Sequence, residues 1–299
     1  MPSIIQFIHP GREVCPYRKE LFVGWNQNNW KNCSSHGRKF IKHKGVQIVN
    51  NKTDKGYLCF WAEWEPQSEV VNSYSKHKPG HPKYLQNIFY DTSQMGSVPH
   101  NTDPYIFGDC FVHSNCKLER YSSLREIESG SLILYGSCLN KRFVLDTLIV
   151  VDKVLDQQKA ADKDEVLKYV PQSFIDVTHK LLYKKRAACG TRAGGCTRSK
   201  KKLENDHLRL IIGKVFSDPD KPFSFVPCKS YDDCINSGFP RPNIVLDEHI
   251  TQHLCRGARV TKNLSSEHIS DIFTMIKKQI TNKGLNLGVR FADVENKGA

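Results

Sequence analysis

The sequence predicts an α+β fold, built on a mixed or largely antiparallel sheet with flanking helices. Two strand-like segments, "GSLILYGS" and "RFVLDTLIVVDKV", are separated by a short loop and predict a β-hairpin. Towards the end of the chain, a capped amphipathic pattern predicts one regular helix. Because neither a repeat nor a Gly/Ser linker interrupts the sequence, we expect one domain over 1–299, in which a strand-rich part, 1–155, precedes a helical and basic part, 156–299.

The first elements combine a buried strand with a polar loop. "SIIQFI" predicts a strand that ends at a His-Pro-Gly turn signal, which would expose His9 at the strand end. Residues 24–45 are polar and loop-like, and Trp25 and Trp30 within them fit no periodic pattern. Exposed tryptophans in a loop require a partner, such as a ligand, but for either one alone folding back into a small satellite cluster is the favoured explanation.

The stretch "YLCFWAEWEPQS" places two carboxylates in a segment that otherwise predicts a buried strand. Alternation directs four apolar side chains to a core face and Trp61, Glu63 and Glu65 to the opposite face. Aromatic surface followed by two acids is typical of a cleft wall, and Gln67 follows in the same stretch. Pairing of the glutamates with some of the many Lys and Arg residues at a strand end explains the pattern equally well.

Residues 72–100 are irregular and predict a long loop, which leads into turn chemistry around Asn101 and Asp103. The following "YIFGDCFVH" predicts a strand. Asp103 either caps the turn or contributes an acid–base group to a site. Asp146 lies on an apolar face of the predicted hairpin, so its carboxylate must be hydrogen bonded or have a raised pKa.

The second half predicts helices within about 155–185, a strand at "HLRLIIGKVF" and a short strand at 243–246. The closing helix begins at Ser265 or Ser266 and ends at an Asn-Lys-Gly signal. The spacing of its apolar face is that of core packing: Ile269, Ile272, Phe273, Ile276 and Ile280.

The net charge of +13 indicates an anionic partner, which we expect to be a nucleotide or a nucleic acid. Between residues 180 and 202 the chain carries nine Lys or Arg residues and no acid. This segment is either a solvated loop or a phosphate-contacting one. The phosphate-binding candidates are Arg192, Arg198, Lys200, Lys201 and Lys202.

Other features narrow the class of protein. We find no secretory signal pattern at the start of the sequence and no apolar run long enough to cross a membrane. The eleven cysteines are scattered, which fits reduced thiols. We therefore expect a cytoplasmic protein. The cysteine spacings do not fit a zinc knuckle, and we predict no metal ligand set. Walker, dinucleotide-binding, nucleophile-elbow, zincin and deaminase signatures are missing, and no cofactor is indicated.

What remains is a set of acids, a histidine and aromatic residues that suits chemistry on nucleotides. The candidate catalytic residues are Glu63, Glu65, His9 and Asp103. The candidate ligand-binding residues are Trp61, Asn101, Trp25, Trp30, Arg38 and Gln67. Modification, transfer and glycosidic cleavage all remain open as reactions.

Four segments, "FWAEWEPQS", "NTDPYIFGDCF", "GSLILYGS…FVLDTLIVV" and "FSFVPC…GFPRPNIVL", together resemble a largely uncharacterised prokaryotic family of the nucleotide-modification-associated domain type, predicted near phage and defence loci. The similar segments span nearly the whole chain. The resemblance implies chemistry linked to nucleotides, but it assigns no catalytic residue.

Two alternatives to an enzyme stay open. The hairpin at 130–151 and the tryptophans would form an aromatic cage for a modified base in a non-catalytic reader, as in PUA-like or EVE-like folds. A structural or interaction protein with an incidental basic loop is the other alternative. A cavity that holds His9 with either glutamate would favour the enzyme.

Overall fold

The computed structural model describes residues 1–8, 11, 13, 37–74, 80–93, 102–114, 124, 126–159, 166–179, 207–247, 250 and 257–298. Twelve strands run through these residues: β1 Ile4–Ile8, β2 Lys39–Val49, β3 Lys52–Ala62, β4 Ser68–Ser73, β5 Tyr84–Ile88, β6 Val112–His113, β7 Leu132–Leu139, β8 Arg142–Lys159, β9 His207–Gly213, β10 Val226–Ser230, β11 Gly257–Thr261 and β12 Asn286–Phe291. The described part of the chain is therefore rich in sheet.

The strands form two sheets of six. The first has the order β11-β1-β7-β8-β9-β6, and the second has the order β12-β10-β3-β2-β5-β4. β12 also pairs with β2, so β2, β3, β10 and β12 form a closed ring of paired strands. Two pairings, β1 with β7 and β2 with β5, are parallel, and the others are antiparallel. Both sheets are mixed, as the sequence predicts.

Two hairpins form the centres of the sheets. The predicted hairpin is confirmed: β7 and β8 pair antiparallel around Asn140 and Lys141, whose φ angles are 49° and 59°. β2 and β3 join at Asn50 and Asn51, whose φ angles are 49° and 62°. Two successive left-handed residues are what a two-residue hairpin turn requires, and Asn tolerates that conformation well.

The prediction that residues 24–45 form a loop is wrong for Lys39–Gly45, which belong to β2. The segment is polar, but β2 pairs with β3, β5 and β12, and these ladder hydrogen bonds outweigh its weak alternation. The prediction of helices within 155–185 is likewise wrong at its start, because β8 continues to Lys159.

The predicted strand "YIFGDCFVH" is not continuous. The backbone of Tyr105 and Val112 exchanges two hydrogen bonds of 2.9 and 2.7 Å, and Gly108 and Asp109, with φ of 68° and 53°, reverse the chain between them. Only Val112 and His113 remain as a strand, β6. The predicted strand at 243–246 is a single bridge between Asn243 and Val144.

The described helices are short except for the last. They are α1 Gln172–Phe174, which continues into a π-helical turn at Ile175–His179, α2 Tyr231–Cys234 and α3 Ser266–Thr281. α3 confirms the closing helix: Ser265 caps it by accepting from His268 N, and the five predicted apolar residues are buried. Within the described residues, no helix is both long and apolar enough to cross a membrane.

The buried apolar residues form two clusters, and each draws on strands of both sheets. The predicted alternation along β3 is confirmed, because Phe60, Ala62 and Trp64 join one cluster while Cys59 and Trp61 join the other. Both faces of β3 are thus buried at its carboxyl end. Polar residues that continue this strand must therefore find partners inside the protein.

Candidate functional site

A buried ionic network lies where β2 begins and β3 ends. Arg38 precedes β2 and Glu63 follows β3. The Arg38 guanidinium donates to Glu63 Oε2 at 2.5 Å and, through Nε, to Asp146 Oδ2 at 2.8 Å. Arg38, Glu63 and Asp146 are each at most 3% exposed. Glu63 is therefore a buried ion-pair partner, which was one of the two explanations open from the sequence.

A second arginine completes the network from the loop after α2. Arg241 Nε donates to Asp146 Oδ1 at 2.5 Å, and its two terminal nitrogens donate to Ser137 Oγ and to the backbone carbonyl of Gly11. Two guanidiniums and two carboxylates make the formal charge of the network zero. Such compensation is what permits four charged side chains to remain buried.

The pKa values of the two arginines shift in opposite directions. Burial lowers the pKa of Arg38, but the charges of Glu63 and Asp146 outweigh burial and raise it overall. For Arg241, burial dominates over the attraction of Asp146, and the nearby charge of Arg38 adds to the lowering of its pKa. Both guanidiniums donate to ionised carboxylates, which is the contact that the protonated form makes.

Backbone geometry brings Asp146 and Gly11 into place. The β7–β8 pairing slips between Tyr135 and Gly136, and Asp146 is the extra residue of this bulge. A Cβ at Gly136 would lie 2.0 Å from the Val144 carbonyl oxygen, so only glycine fits there. A Cβ at Gly11 would lie 2.6 Å from Ser137 Oγ, which would prevent the close approach of this backbone to the network.

Lys39 lies on the opposite face of β2 from Arg38. Its ammonium group donates to the Pro66 carbonyl oxygen at 2.9 Å, and the residue is 2% exposed. Burial lowers the pKa of Lys39 to about 7, against an opposing effect from the charge of Glu65. An amine with this pKa exists in both protonation states near neutral pH.

A second buried pair is formed by Asp103 and His113. His113 Nδ1 lies 2.9 Å from Asp103 Oδ1, which also accepts from Ser114 N at 3.2 Å. Both side chains are fully buried. With an ionised Asp103, Nδ1 carries the ring proton, so Nε2 is the acceptor of the neutral imidazole. His113 Nε2 is buried and has no hydrogen-bond partner among the described residues.

The Asp103–His113 pair is connected to the end of β3 and to the first sheet. Thr102 Oγ1 accepts from Glu65 N at 3.2 Å, which joins the backbone beside Asp103 to that of Glu65. The rings of Phe7 and Tyr135 lie 5.8 and 5.6 Å from that of His113, measured between centroids. The imidazole is thus held against the aromatic side chains of β1 and β7.

The structure brings some predicted site residues together and separates others. Glu65 and Asp103 belong to one region, and Glu63 and Arg38 form the ionic network beside it. Trp61 is 4% exposed and donates from its indole nitrogen to the Phe239 carbonyl at 2.9 Å, within the core. Gln67 is also buried, and its side chain accepts from Asp91 N.

Several predicted residues lie outside the described part of the chain: His9, Trp25, Trp30, Asn101, Arg192, Arg198, Lys200, Lys201 and Lys202. Their predicted roles stay predictions.

Sequence reasoning missed four buried polar residues of this region: Lys39, His113, Ser137 and Arg241. A usable signal existed for His113, because it follows Phe111 at the two-residue spacing of a strand and closes a run of apolar residues. Arg241 lies between prolines in a segment without periodicity, so nothing in the sequence connects it to Asp146.

Within the described ranges, no group of three or more His, Cys, Asp or Glu side chains is arranged to hold a metal ion. Comparison of the chain with protein-family models, with curated proteins and with solved structures gives no significant match.

Proposed function

We propose that this protein is an enzyme that acts on a nucleotide or a nucleic-acid base by acid–base chemistry. The observation that carries the proposal is the buried Asp103–His113 pair, whose Nε2 has no hydrogen-bond partner among the described residues. A buried acceptor without a partner destabilises a fold by roughly 1–3 kcal/mol. Such a group is accounted for if a substrate supplies the missing donor.

In this proposal His113 is the proton acceptor and Asp103 is its positioning residue. The carboxylate fixes the tautomer that leaves Nε2 free to receive a proton, and it stabilises the imidazolium that results. The aromatic rings of Phe7 and Tyr135 limit ring rotation. A histidine oriented by a carboxylate is the arrangement of a general base in enzymes that use a catalytic triad.

Glu65 and Lys39 supply a second proton-transfer group. The pKa of Lys39, about 7, allows it to give or take a proton near neutral pH, and Glu65 contributes the negative charge that acts on it. Glu63 has a different role in the proposal. It forms an ion pair with Arg38, and this pair joins the start of β2 to the end of β3. The proposal therefore assigns acid–base chemistry to Glu65 and not to Glu63.

The substrate class rests on charge and on the resemblance noted in the sequence. A net charge of +13 favours phosphate-bearing ligands, and the resemblance is to proteins linked with nucleotide modification. A non-catalytic reader built on the β7–β8 hairpin is less well supported. Leu132–Ser137 of β7 are buried on both faces, which disfavours a base cage at these positions.

The test is incubation of the purified protein with ribo- and deoxynucleotides and short oligonucleotides, followed by mass spectrometry. Each substrate is used alone and together with a cell metabolite extract as a source of group donors. We expect a mass change in one substrate that His113→Asn and Asp103→Asn reduce by roughly 10²–10⁴-fold. The matched control is His268→Asn, which changes an exposed histidine.

Two results would overturn the proposal. One is the absence of any mass change under all of these conditions with folded protein. The other is a reaction that His113→Asn and His268→Asn leave equally fast.

A further inference from the structure

The middle of the β2–β3 hairpin carries a surface of lysines around an exposed tyrosine. We call this surface the Lys/Tyr face and define it as Lys42, Lys44, Lys55, Tyr57 and Tyr231. The strand register places Lys44 directly opposite Tyr57, and Lys55 opposite Val46. Residues two apart on a strand share a face, so Lys42, Lys44, Lys55 and Tyr57 all lie on one side of the hairpin.

The aromatic rings of the face are in contact with ammonium groups. Lys42 Nζ lies 3.6 Å from the centroid of Tyr231 and 4.8 Å from that of Tyr57, and Lys44 Nζ lies 5.7 Å from that of Tyr57. These distances are in the range of cation–π interactions. Tyr57 is nevertheless 47% exposed, so a large part of its ring remains open to a ligand.

We propose that the Lys/Tyr face binds single-stranded nucleic acid, with one base stacked on Tyr57 and the adjacent phosphates on Lys44 and Lys55. Aromatic rings interleaved with cations are the recurring elements of single-strand binding surfaces, because every base has a face that can stack. Duplex bases are already stacked on each other, so an exposed tyrosine adds nothing to duplex binding. The single-stranded form is therefore the expected ligand.

Acidic neighbours do not cancel the charge of this face. Asp54, on the same hairpin, accepts from Gln47 at 3.0 Å, and Asp233 in α2 accepts from Ser230 and from no lysine of the face. Lys44 and Lys55 are exposed, and within the described residues neither forms an ion pair with a carboxylate. Both can therefore bind phosphate.

The face and the candidate site lie on the same two strands. Lys39 and Lys44 are five residues apart on β2, which corresponds to roughly 16 Å at the rise of an extended strand. Five is an odd separation, so the two side chains lie on opposite faces of β2, and a bound strand has to pass around the edge of the sheet to reach the site. Delivery of a base from such a strand to the candidate site rests on the proposed function. Binding of the strand to the Lys/Tyr face does not depend on it.

The experiment measures fluorescence anisotropy of a labelled fifteen-nucleotide oligothymidylate, titrated with the full chain at several salt concentrations. Tyr57→Ala should weaken binding by roughly tenfold, and Tyr57→Trp should preserve it. Lys44→Ala combined with Lys55→Ala should reduce the slope of log K against log salt by about 1.4, or ~0.7 for each lost phosphate contact. The matched control, Lys278→Ala with Lys283→Ala, removes the same charge from exposed positions of and beside α3.

The proposal is overturned if oligothymidylate does not bind at low salt, or if the control pair weakens binding as much as the Lys44 and Lys55 pair. Equal affinity for a duplex of the same length would also overturn it, because Tyr57 would then make no stacking contribution. If the oligonucleotide binds but undergoes no chemical change, the result supports the Lys/Tyr face as a binding surface and contradicts only the proposed function.

Discussion

Arg241 binds Asp146 through two nitrogens of its guanidinium group, one to each carboxylate oxygen, and both side chains are buried. The two residues are 95 positions apart in the chain. Their contact joins the loop after α2 to the bulge of the β7–β8 hairpin. Because Asp146 also accepts from Arg38, it is the centre of a network that connects both sheets.

Loss of Arg241 should strongly destabilise the fold. Arg241→Ala leaves Asp146 with one cationic partner fewer and the Gly11 carbonyl without its donor, so we expect the free energy of unfolding to fall by about 3–5 kcal/mol. Urea denaturation measures this change. Arg142→Ala, at an exposed position of β8, is the matched control and should change stability by less than about 0.5 kcal/mol. Equal effects of the two substitutions would show that the network contributes nothing.

Two glycines of the sheets should respond in opposite ways to the same substitution. In Gly136→Ala the new methyl group would clash with the Val144 carbonyl oxygen. We expect the free energy of unfolding to fall by about 1–3 kcal/mol or more. At Gly56 nothing lies within 4 Å of the added Cβ, so Gly56→Ala should be neutral or stabilise by about 0.5–1 kcal/mol. Comparison of the two denaturation midpoints tests the bulge geometry, and a tolerated alanine at Gly136 would contradict it.

The buried amine of Lys39 should make stability depend on pH. Its pKa is about 7 in the folded protein and about 10.4 in the unfolded chain, so between these values the unfolded state binds more protons. Stability should therefore rise with pH across this interval, by up to about 1.4 kcal/mol per pH unit from this group. Below pH 7 the contribution is constant and unfavourable.

Urea midpoints of the natural protein and Lys39→Met at pH 7, 8 and 9 isolate this effect, because all other titrating groups are common to both. The difference between the two proteins should narrow as pH rises. Lys278→Met, at an exposed position, should follow the natural protein at every pH. A constant difference between Lys39→Met and the natural protein would show that Lys39 keeps an ordinary pKa.

The parts of this fold that could be predicted are those that depend on neighbouring residues. The α3 helix carries its cap, its apolar spacing and its end signal within one segment, and the β7–β8 hairpin carries two strong strands and a short turn. β2 was missed because its stability comes from three partner strands, not from its own polar sequence. Tyr105–Val112 was misassigned because Gly108 and Asp109 reverse an otherwise strand-like run.

For the candidate site, the sequence allowed prediction of individual residues but not of the contacts between them. Alternation along β3 correctly directed Glu63 away from Ala62 and Trp64, and burial made a partner for Asp146 necessary. The identity of that partner could not follow from spacing, since Arg38 and Asp146 are separated by 108 positions. Contacts of this kind are set by the packing of the two sheets, which no local pattern encodes.

The two described histidines that make hydrogen bonds through their rings should adopt opposite tautomers. His113 faces the carboxylate of Asp103 with Nδ1, so its proton belongs on Nδ1, whereas His43 lies 2.9 Å from the Ala292 carbonyl oxygen with Nε2, which must then be the donor. Burial lowers the pKa of His43, so that ring is neutral at pH 7.5. Long-range ¹H–¹⁵N spectra of histidine-labelled protein distinguish the two forms, and His113→Asn and His43→Asn assign the signals. Asp103→Asn should shift only the His113 signals. A protonated Nε2 in neutral His113 would contradict the arrangement on which its role as proton acceptor depends.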